Sequence, residues 1–541
     1  MRHKHCGYAF YKCVLCLMFF IGAHSNGLGQ QINWVVSDTA QYAFNTAYAS
    51  VAAVSGNNNE FFSAWMELFS FNYSQDLLGT YVVNSIDALG ARTLLHQIGP
   101  VAVVRSLKVR PNGDLIVSGT FMDSLVVDGA TMFHVTQATQ FARNAFVICY
   151  DSNGTLRWSR NLSSSLIDLE EVDADAIDQN GNYWFAYMGF SSSNPLAVCV
   201  SESGQDSVTR VLPGIQSMLS DIVFDATGAM YLSGGIGSGT FSFGGLPVTI
   251  TTAYNRFLAK MDLNGNGLWF NTIPDLTFSK NHIVIDDSAV IYLTGDLYDS
   301  VTVGGILLNG PNWVYDFLTV KYDSSGQIIW ARDVPNGSSI TGDLRLGSGR
   351  CIAVNNSGYY QLVSYRGMTD YGNGQMVGGP SIQFNRGLSL LCFDKSGNLI
   401  SHLDIPTSNG LWPYSILTNN SVGYITGTAN GSQQIGPIAI NTSTNSTFFS
   451  WLAQFDASSI TEIGFNDKQD SITIFPSPSM DGKLQLNHLP EDTKVEIFDM
   501  NGRLRRKFYA SLNSCFDTEL PSGIYLVKVG EKFSSRWTII R

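Results

Sequence analysis

Between residues 80 and 466 the chain alternates short apolar runs with polar turns, and two segments recur. The first is an apolar strand, an Asp-x-x-Gly turn and a second strand that often carries Trp. It reads FVICYDSNGTLRW (146–158), FLAKMDLNGNGLW (257–269), FLTVKYDSSGQIIW (317–330) and SLLCFDKSGNLIS (389–401). Weaker copies are YVVNSIDALGARTL (81–94), LAVCVSESGQDSV (196–208) and a glycine-less WLAQFDASSITEI (451–463). Asp at the first turn position accepts from the turn amides, and Gly takes the left-handed conformation there. The flanking Val, Ile, Tyr and Phe suit half-buried strands. The turn glycines Gly90, Gly154, Gly204, Gly265, Gly326 and Gly397 lie 64, 50, 61, 61 and 71 residues apart.

The second segment precedes each hairpin: VRPNGDLIVSGTF (109–121), IDQNGNYWFAYMG (177–189), VFDATGAMYLSGG (223–235), VIDDSAVIYLTGD (284–296), VNNSGYYQLVSYR (354–366) and LTNNSVGYITGTA (417–429). Each repeat of about 60 residues thus offers four short strands. A sheet of that size cannot bury both faces alone, and radial stacking of such sheets does so while protecting their edges. The predicted fold is all-β, a β-propeller over 30–466. Seven blades are expected from the seven hairpins, with six or eight as alternatives. The segment INWVV (32–36) resembles the Trp-bearing strand QIIWARDV (327–334), and the last repeat lacks one. The chain start is therefore expected to complete the last blade and close the ring.

The pattern resembles the β-propeller repeats of secreted bacterial proteins, in which an Asp-x-x-Gly-Asn-x-Tyr-x-x-Gly strand precedes a Lys-Tyr-Asp-x-x-Gly-x-x-x-Trp hairpin. That resemblance implies an architecture and an extracellular setting, without a common activity.

Composition agrees. Only 14% of the 541 residues are charged and 12% are aromatic, against about 25% charged in an average soluble protein. Disorder and coiled coils are excluded by this balance. Residues 1–29 read as a secretory signal peptide. They combine a basic start at Arg2, Lys4 and Lys12, an apolar run from Cys13 to Ala23 that is too short to span a bilayer, and small residues after it. Cleavage is expected after Gly29, with Ser25 as the second choice. No later stretch reaches 18 apolar residues, so no integral membrane segment is expected in the mature chain. Five cysteines then remain, an odd and widely spaced set that is not a disulfide framework. Cys149, Cys199 and Cys392 hold the repeat position that Lys260, Lys321 and Gln454 hold in sister copies, and are expected to be buried fillers. The net charge is −12, and the propeller alone is more acidic still, which disfavours nucleic acid.

After Asp467 the periodicity changes. SITIFPSPSMDGKLQL, KVEIFDMNGRLRR and LPSGIYLVKVGEKFSSRWTIIR predict a small antiparallel sandwich over 467–541. This segment resembles the type A C-terminal sorting domain of cargo proteins of the Bacteroidetes type IX secretion system. The matching positions are Pro476 and Pro478 of the opening strand, Asp499, Gly502 and Arg503 of the middle hairpin, and Pro521, Gly523 and Tyr525 of the Leu-Pro-x-Gly-x-Tyr strand. Ser477 stands where the family usually has Asn. The resemblance implies export through the type IX machinery to the outer cell surface or the medium.

Candidate chemistry is sparse. Asp262-Leu-Asn264-Gly-Asn266 resembles the start of an EF-hand loop, but the twelfth position is Ile273 instead of Glu, so a plain turn is expected. Trp158, Trp269 and Trp330 recur four residues after the turn glycine and are expected to pack between blades. The Gly-rich run 234–239 lacks the Lys of a phosphate loop. Asp173 and Asp175, near Glu170 and Glu171, are expected in a solvated loop. No nucleophile–base motif occurs, and no catalytic, cofactor or metal residue is assigned. The expectation is a surface or secreted binding module whose partner is a glycan or a surface protein. The alternatives are a polysaccharide hydrolase or lyase with paired carboxylates, and a structural surface protein with no ligand.

Overall fold

In a computed structural model the chain divides into two compact units, Met1–Ile460 and Thr461–Arg541. The structure describes residues 32–37, 50–54, 61–73, 76–135, 143–161, 174–187, 196–212, 219–274, 281–310, 316–335, 343–347, 349–371, 375–379, 386–407, 410–419, 421–436, 438–440 and 448–457 of the first unit. In the second it describes 473–475, 483–487, 493–499, 503–510, 514–517, 519–529 and 533–539. The proposed leader, residues 1–29, lies outside the described residues. Every regular element described is a strand. Among the described residues no helix is long and apolar enough to cross a membrane.

In the first unit the strands form successive antiparallel meanders. Ala174–Ile177, Tyr183–Tyr187, Leu196–Val200 and Asp206–Val211 make one sheet. Leu219–Phe224, Met230–Phe243, Leu246–Met261 and Gly267–Pro274 make the next, and Asn281–Ile285, Ile291–Leu297, Asp316–Tyr322 and Ile328–Asp333 follow. Then Asp343–Leu346 and Ile352–Val354 both pair with Gly358–Asp370, beside Gly387–Asp394 and Leu399–Ile405. Near the start, the 18-residue strand Arg92–Val109 joins two such sheets. Its first part closes the meander of Ser50–Val54, Phe61–Tyr73 and Asp76–Ile86. Its later part opens the one that continues through Leu115–Val127, Arg143–Tyr150 and Leu156–Asn161.

The first strands of these sheets touch in chain order. Arg92–Val109 contacts Ala174–Ile177, which contacts Leu219–Phe224, and the series runs on through Asn281–Ile285, Ile352–Val354 and Leu411–Asn419 to Ser50–Val54, which returns to Arg92–Val109. Four-stranded sheets radiating from a closed ring of inner strands are a β-propeller. The last sheet has the order Ile32–Ser37, Phe448–Asp456, Val422–Asn430, Leu411–Asn419. Its outer strand is thus supplied by the chain start, with Trp34 opposite Gln454.

The core lies between sheets, not within them. Val223, Tyr231 and Leu258 of one sheet pack with Ile283, Leu293, Val320 and Tyr322 of the next. At the closure, Trp34, Tyr424 and Leu452 pack with Phe61 and Ile86. Side chains alternate across each strand, so each sheet serves two such interfaces.

The turns behave as their residues dictate. Asp151 Oδ1 accepts from the amides of Asn153 at 2.9 Å and Thr155 at 2.8 Å, and Gly154 adopts a φ of +80°. Asp262 repeats this with Asn264 and Asn266, while its Oδ2 accepts from the Asn266 side chain at 2.8 Å. Its carboxylate is engaged by its own turn. The run Gly234–Gly239 lies inside the strand Met230–Phe243.

Candidate functional site

The repeated Trp does more than fill space. Trp158 Nε1 donates to the Glu202 carbonyl at 2.8 Å, Trp269 to Ser324 at 3.2 Å, Trp330 to Lys395 at 3.3 Å and Trp34 to Ala88 at 3.1 Å. Each acceptor is the second residue of the next sheet's hairpin turn. The turn glycine seats the ring. A Cβ on Gly204 would lie 2.6 Å from Trp158, and one on Gly326 would lie 2.8 Å from Trp269. This latch repeats around the ring and ties neighbouring sheets at their outer edge.

Between the latched edges of two neighbouring sheets, Asn281–Asp333 and Asp343–Ile405, lies a cavity of about 440 Å³. Thr319, Gln361, Tyr359 and Phe393 line it, as do Tyr371, Arg332 and Asp333. Tyr359 and Phe393 face each other across adjacent strands, and their rings stack at 4.7 Å. Tyr371 sits 6.1 Å from Phe393. Gln361 is fully buried. Its Nε2 donates to the hydroxyls of Thr294 at 2.9 Å and Thr319 at 2.7 Å. Its Oε1 and the hydroxyl of Tyr371 have no hydrogen-bond partner among the described residues. Burial drives the Tyr371 hydroxyl well above the usual tyrosine range. Asp333 accepts from the Asn309 amide at 2.5 Å, yet burial outweighs that bond and raises its carboxyl above the ordinary range. Arg332 is turned toward the next sheet, its Nε and Nη2 donating to the Ser396 carbonyl at 3.2 and 3.0 Å.

A second polar group lies on the inner strands. Asp221 accepts from Arg350 Nε at 3.1 Å and from the Ile283 amide at 3.0 Å, with His282 Nδ1 3.9 Å away. Arg350 therefore reaches past the inner strand that bears His282 to the strand that bears Asp221. Asp175 pairs with Lys108 at 3.0 Å and accepts from the Tyr183 hydroxyl at 3.0 Å. The sequence placed Asp175 in a solvated loop. It is instead 9% exposed on an inner strand, because the ring brings Lys108 to it. Asp173, Glu170 and Glu171 lie outside the described residues. Both aspartates are occupied by partners on neighbouring strands, so they tie the inner ring together.

Cys149, Cys199 and Cys392 are buried on the third strands of their sheets, as the repeat alignment requires. Burial pushes the Cys149 thiol up to about 12, although Arg110 opposes the shift. At the equivalent place Lys260 sits 4.8 Å from the Tyr231 ring centre and Lys321 sits 5.1 Å from that of Tyr292.

In the second unit, Thr493–Asp499 pairs with both Leu504–Ala510 and Gly523–Val529. Asp499 closes its hairpin by accepting from the Arg503 amide at 3.0 Å, and it also holds Arg505 at 2.7 Å. Asp499 lies opposite Tyr525 in register. The Tyr525 hydroxyl turns back to donate to the Pro521 carbonyl at 2.9 Å. A Cβ on Gly523 would meet that ring at 3.4 Å, an ordinary van der Waals contact. Asp499, Gly523 and Tyr525 thus lie on paired strands, with Arg503 and Pro521 just before the strands Leu504–Ala510 and Gly523–Val529. Pro476, Pro478 and Gly502 lie outside the described residues. No local pattern of residues marks the cavity beside Gln361 and Tyr371, since its lining comes from separate strands of two repeats.

No protein family's sequence profile matches the chain, and no curated protein does. Solved structures resemble it distantly. Virginiamycin B lyase from Staphylococcus aureus is 10% identical, covers 78% of this chain and 99% of its own, with a TM-score of 0.39. The extracellular domains 1–2 of Drosophila Semaphorin 1b are 10% identical over 79% of this chain and 88% of their own, with a TM-score of 0.36. PorZ, a surface component of the type-IX secretion system of Porphyromonas gingivalis, is 9% identical over 92% and 82%, with a TM-score of 0.22.

Proposed function

We propose that this chain is an exported, extracellular β-propeller of seven blades that acts as a binding module at the outer cell surface or in the medium. Residues 1–29 serve as its Sec leader, and 467–541 as a type IX sorting domain. The observation that carries the binding reading is the cavity between two sheets. Buried Tyr359, Phe393 and Gln361 form its wall, exposed Arg332 and Asn398 stand at its open side, and among its described lining residues there is a single carboxylate, Asp333. Cleavage of a glycosidic bond by the usual route calls for two carboxyl groups. The export reading is supported by the separate second unit and by Asp499 and Tyr525 of its motif lying opposite each other on paired strands.

Two measurements test this. Deleting 467–541 should leave the propeller in the periplasm, and surface delivery of the truncated chain would refute the sorting role. The mature chain on a glycan array should retain a defined subset of sugars. Turnover of a polysaccharide in the same preparation would favour the hydrolase or lyase instead.

A further inference from the structure

We propose that the outer edge of the strand Leu504–Ala510 in the second unit is a docking site for an extended acidic peptide segment of a partner protein, which joins the sheet as a further strand. Such an edge serves the chain whether or not this unit is a sorting signal.

The backbone supplies the first half of the site. Leu504–Ala510 ends the sheet that continues through Thr493–Asp499, Gly523–Val529 and Phe533–Ile539, and among the described residues its other side pairs with no strand. A bulge falls at Arg505, since Ile497 lies opposite Arg506 and Phe498 opposite Leu504. From Arg506 to Ala510 the pairing runs without a break. A strand paired on one side leaves alternate N–H and C=O groups directed outward, and those groups are a template for another strand. The edge is open to solvent. Arg503 to Lys507 are all exposed, and Leu504 and Tyr509 are 49% and 61% exposed.

Charge supplies the second half. Four of the five residues Arg503–Lys507 are cationic, in a chain of net charge −12. Arg505 is taken up by Asp499 at 2.7 Å. Arg506 pairs with Glu519 at 3.0 Å, but that carboxylate is 77% exposed. An exposed pair of this kind is worth about 1 kcal/mol or less, so Arg506 can exchange it for a partner's carboxylate. Lys507 stands opposite Glu496 in register, yet Glu496 is held by Lys494 at 2.8 Å and has Lys528 opposite it on the other side. The bond from Lys494, with Lys507 and Lys528 close by, keeps the Glu496 carboxyl below its ordinary range. Three lysines thus share one glutamate, and the face beside the edge keeps an excess of positive charge. Adjacent residues of a strand point to opposite faces, so an added strand meets Arg506 on one face and Lys507 on the other.

The same charges name the occupant. The matching edge of a second copy would set Arg and Lys against Arg and Lys, and like charges directly opposite are destabilising. Carboxylates in those places stabilise the pairing.

The test uses the chain 30–541 and the fluorescein-labelled octapeptide Thr-Val-Thr-Glu-Glu-Thr-Val-Thr, whose adjacent glutamates point to opposite faces. Fluorescence anisotropy reads binding, and hydrogen exchange with mass spectrometry reads the amides of Leu504–Ala510. The peptide should bind, more weakly as salt rises, and should slow exchange in that strand. Its Lys-Lys counterpart should not bind, nor should the acidic peptide with its backbone nitrogens methylated. Arg506→Gln combined with Lys507→Gln should weaken binding by about tenfold. Should that variant misfold, slowed exchange in the wild-type strand decides alone. No binding of the acidic peptide leaves the charges as a guard on the edge and overturns the site. Equal binding of the acidic and basic peptides, or binding without slowed exchange in Leu504–Ala510, overturns it as well. Protection of the same amides that grows with protein concentration, without peptide, assigns the edge to a second copy and overturns the acidic occupant.

Discussion

Trp34 donates its indole N–H to the carbonyl of Ala88 at 3.1 Å, and its ring lies against the turn glycine Gly90. Trp34 belongs to the last sheet and Ala88 to the first, so this one bond spans the point where the ring of sheets meets itself. Trp158, Trp269 and Trp330 make the same latch elsewhere, each from an outer strand whose chain runs on into the next sheet, as the strand of Trp34 runs on into the first. The ring itself is closed by the pairing of Ile32–Ser37 with Phe448–Asp456.

Trp34→Phe should keep the packing and lose the hydrogen bond, lowering stability by about 1 kcal/mol. Trp34→Ala should cost about 3–5 kcal/mol. Removing residues 32–37 should leave Phe448–Asp456 as an open edge and promote aggregation. Urea unfolding followed by circular dichroism, with light scattering, reads all three.

Turn glycines should differ according to what faces them. Gly204 has a φ of +83°, and a Cβ there would press on Trp158, so Gly204→Ala should cost about 1–3 kcal/mol. Gly181 has a φ of +76° with nothing within 4 Å, so Gly181→Ala should fall at the lower end, about 1 kcal/mol. Equal losses in parallel urea titrations would contradict the latch geometry.

Asp333 yields a pH prediction. Burial raises its folded-state pKa despite the bond from the Asn309 amide. A carboxyl raised in this way favours folding below its unfolded value near 3.9 and opposes it as pH rises through the folded value. Asp333→Asn should therefore raise the melting temperature at pH 7, and the gain should vanish below about pH 4. A gain independent of pH, measured by calorimetry, would point to packing instead.

Cys149 is buried, and burial holds its thiol up at about 12. Because the thiolate is the reactive form, iodoacetamide should leave Cys149 unmodified in the native protein at pH 8 and alkylate it in urea. Mass spectrometry of the tryptic peptide decides the point.

In the second unit, Tyr525→Phe should remove the bond to Pro521 and destabilise that unit by about 1 kcal/mol. If the unit is a sorting signal read in its folded form, surface delivery should fall in the same variant. The check is cell fractionation with limited proteolysis.

The sequence by itself determined the strands, the turns and the repeat, because each depends on neighbours within about ten residues. An Asp-x-x-Gly turn folds on its own amides, and a continuous apolar run such as FVICY (146–150) declares two buried faces. The Trp four residues past each turn glycine also declared a repeated packing role, and the Trp of INWVV declared where the missing strand lay. Only the tertiary structure decided which groups meet across repeats. The Trp34–Ala88 bond joins residues 54 apart, and the Arg350–Asp221 pair joins residues 129 apart. Asp175 shows the limit most plainly, since its sequence neighbours are acidic loop residues while its actual partner, Lys108, arrives from the preceding sheet. The cavity at Gln361 and Tyr371 is of the same kind. It exists because two sheets are latched at their edges and fill the space between them incompletely, and no local pattern of residues encodes that gap.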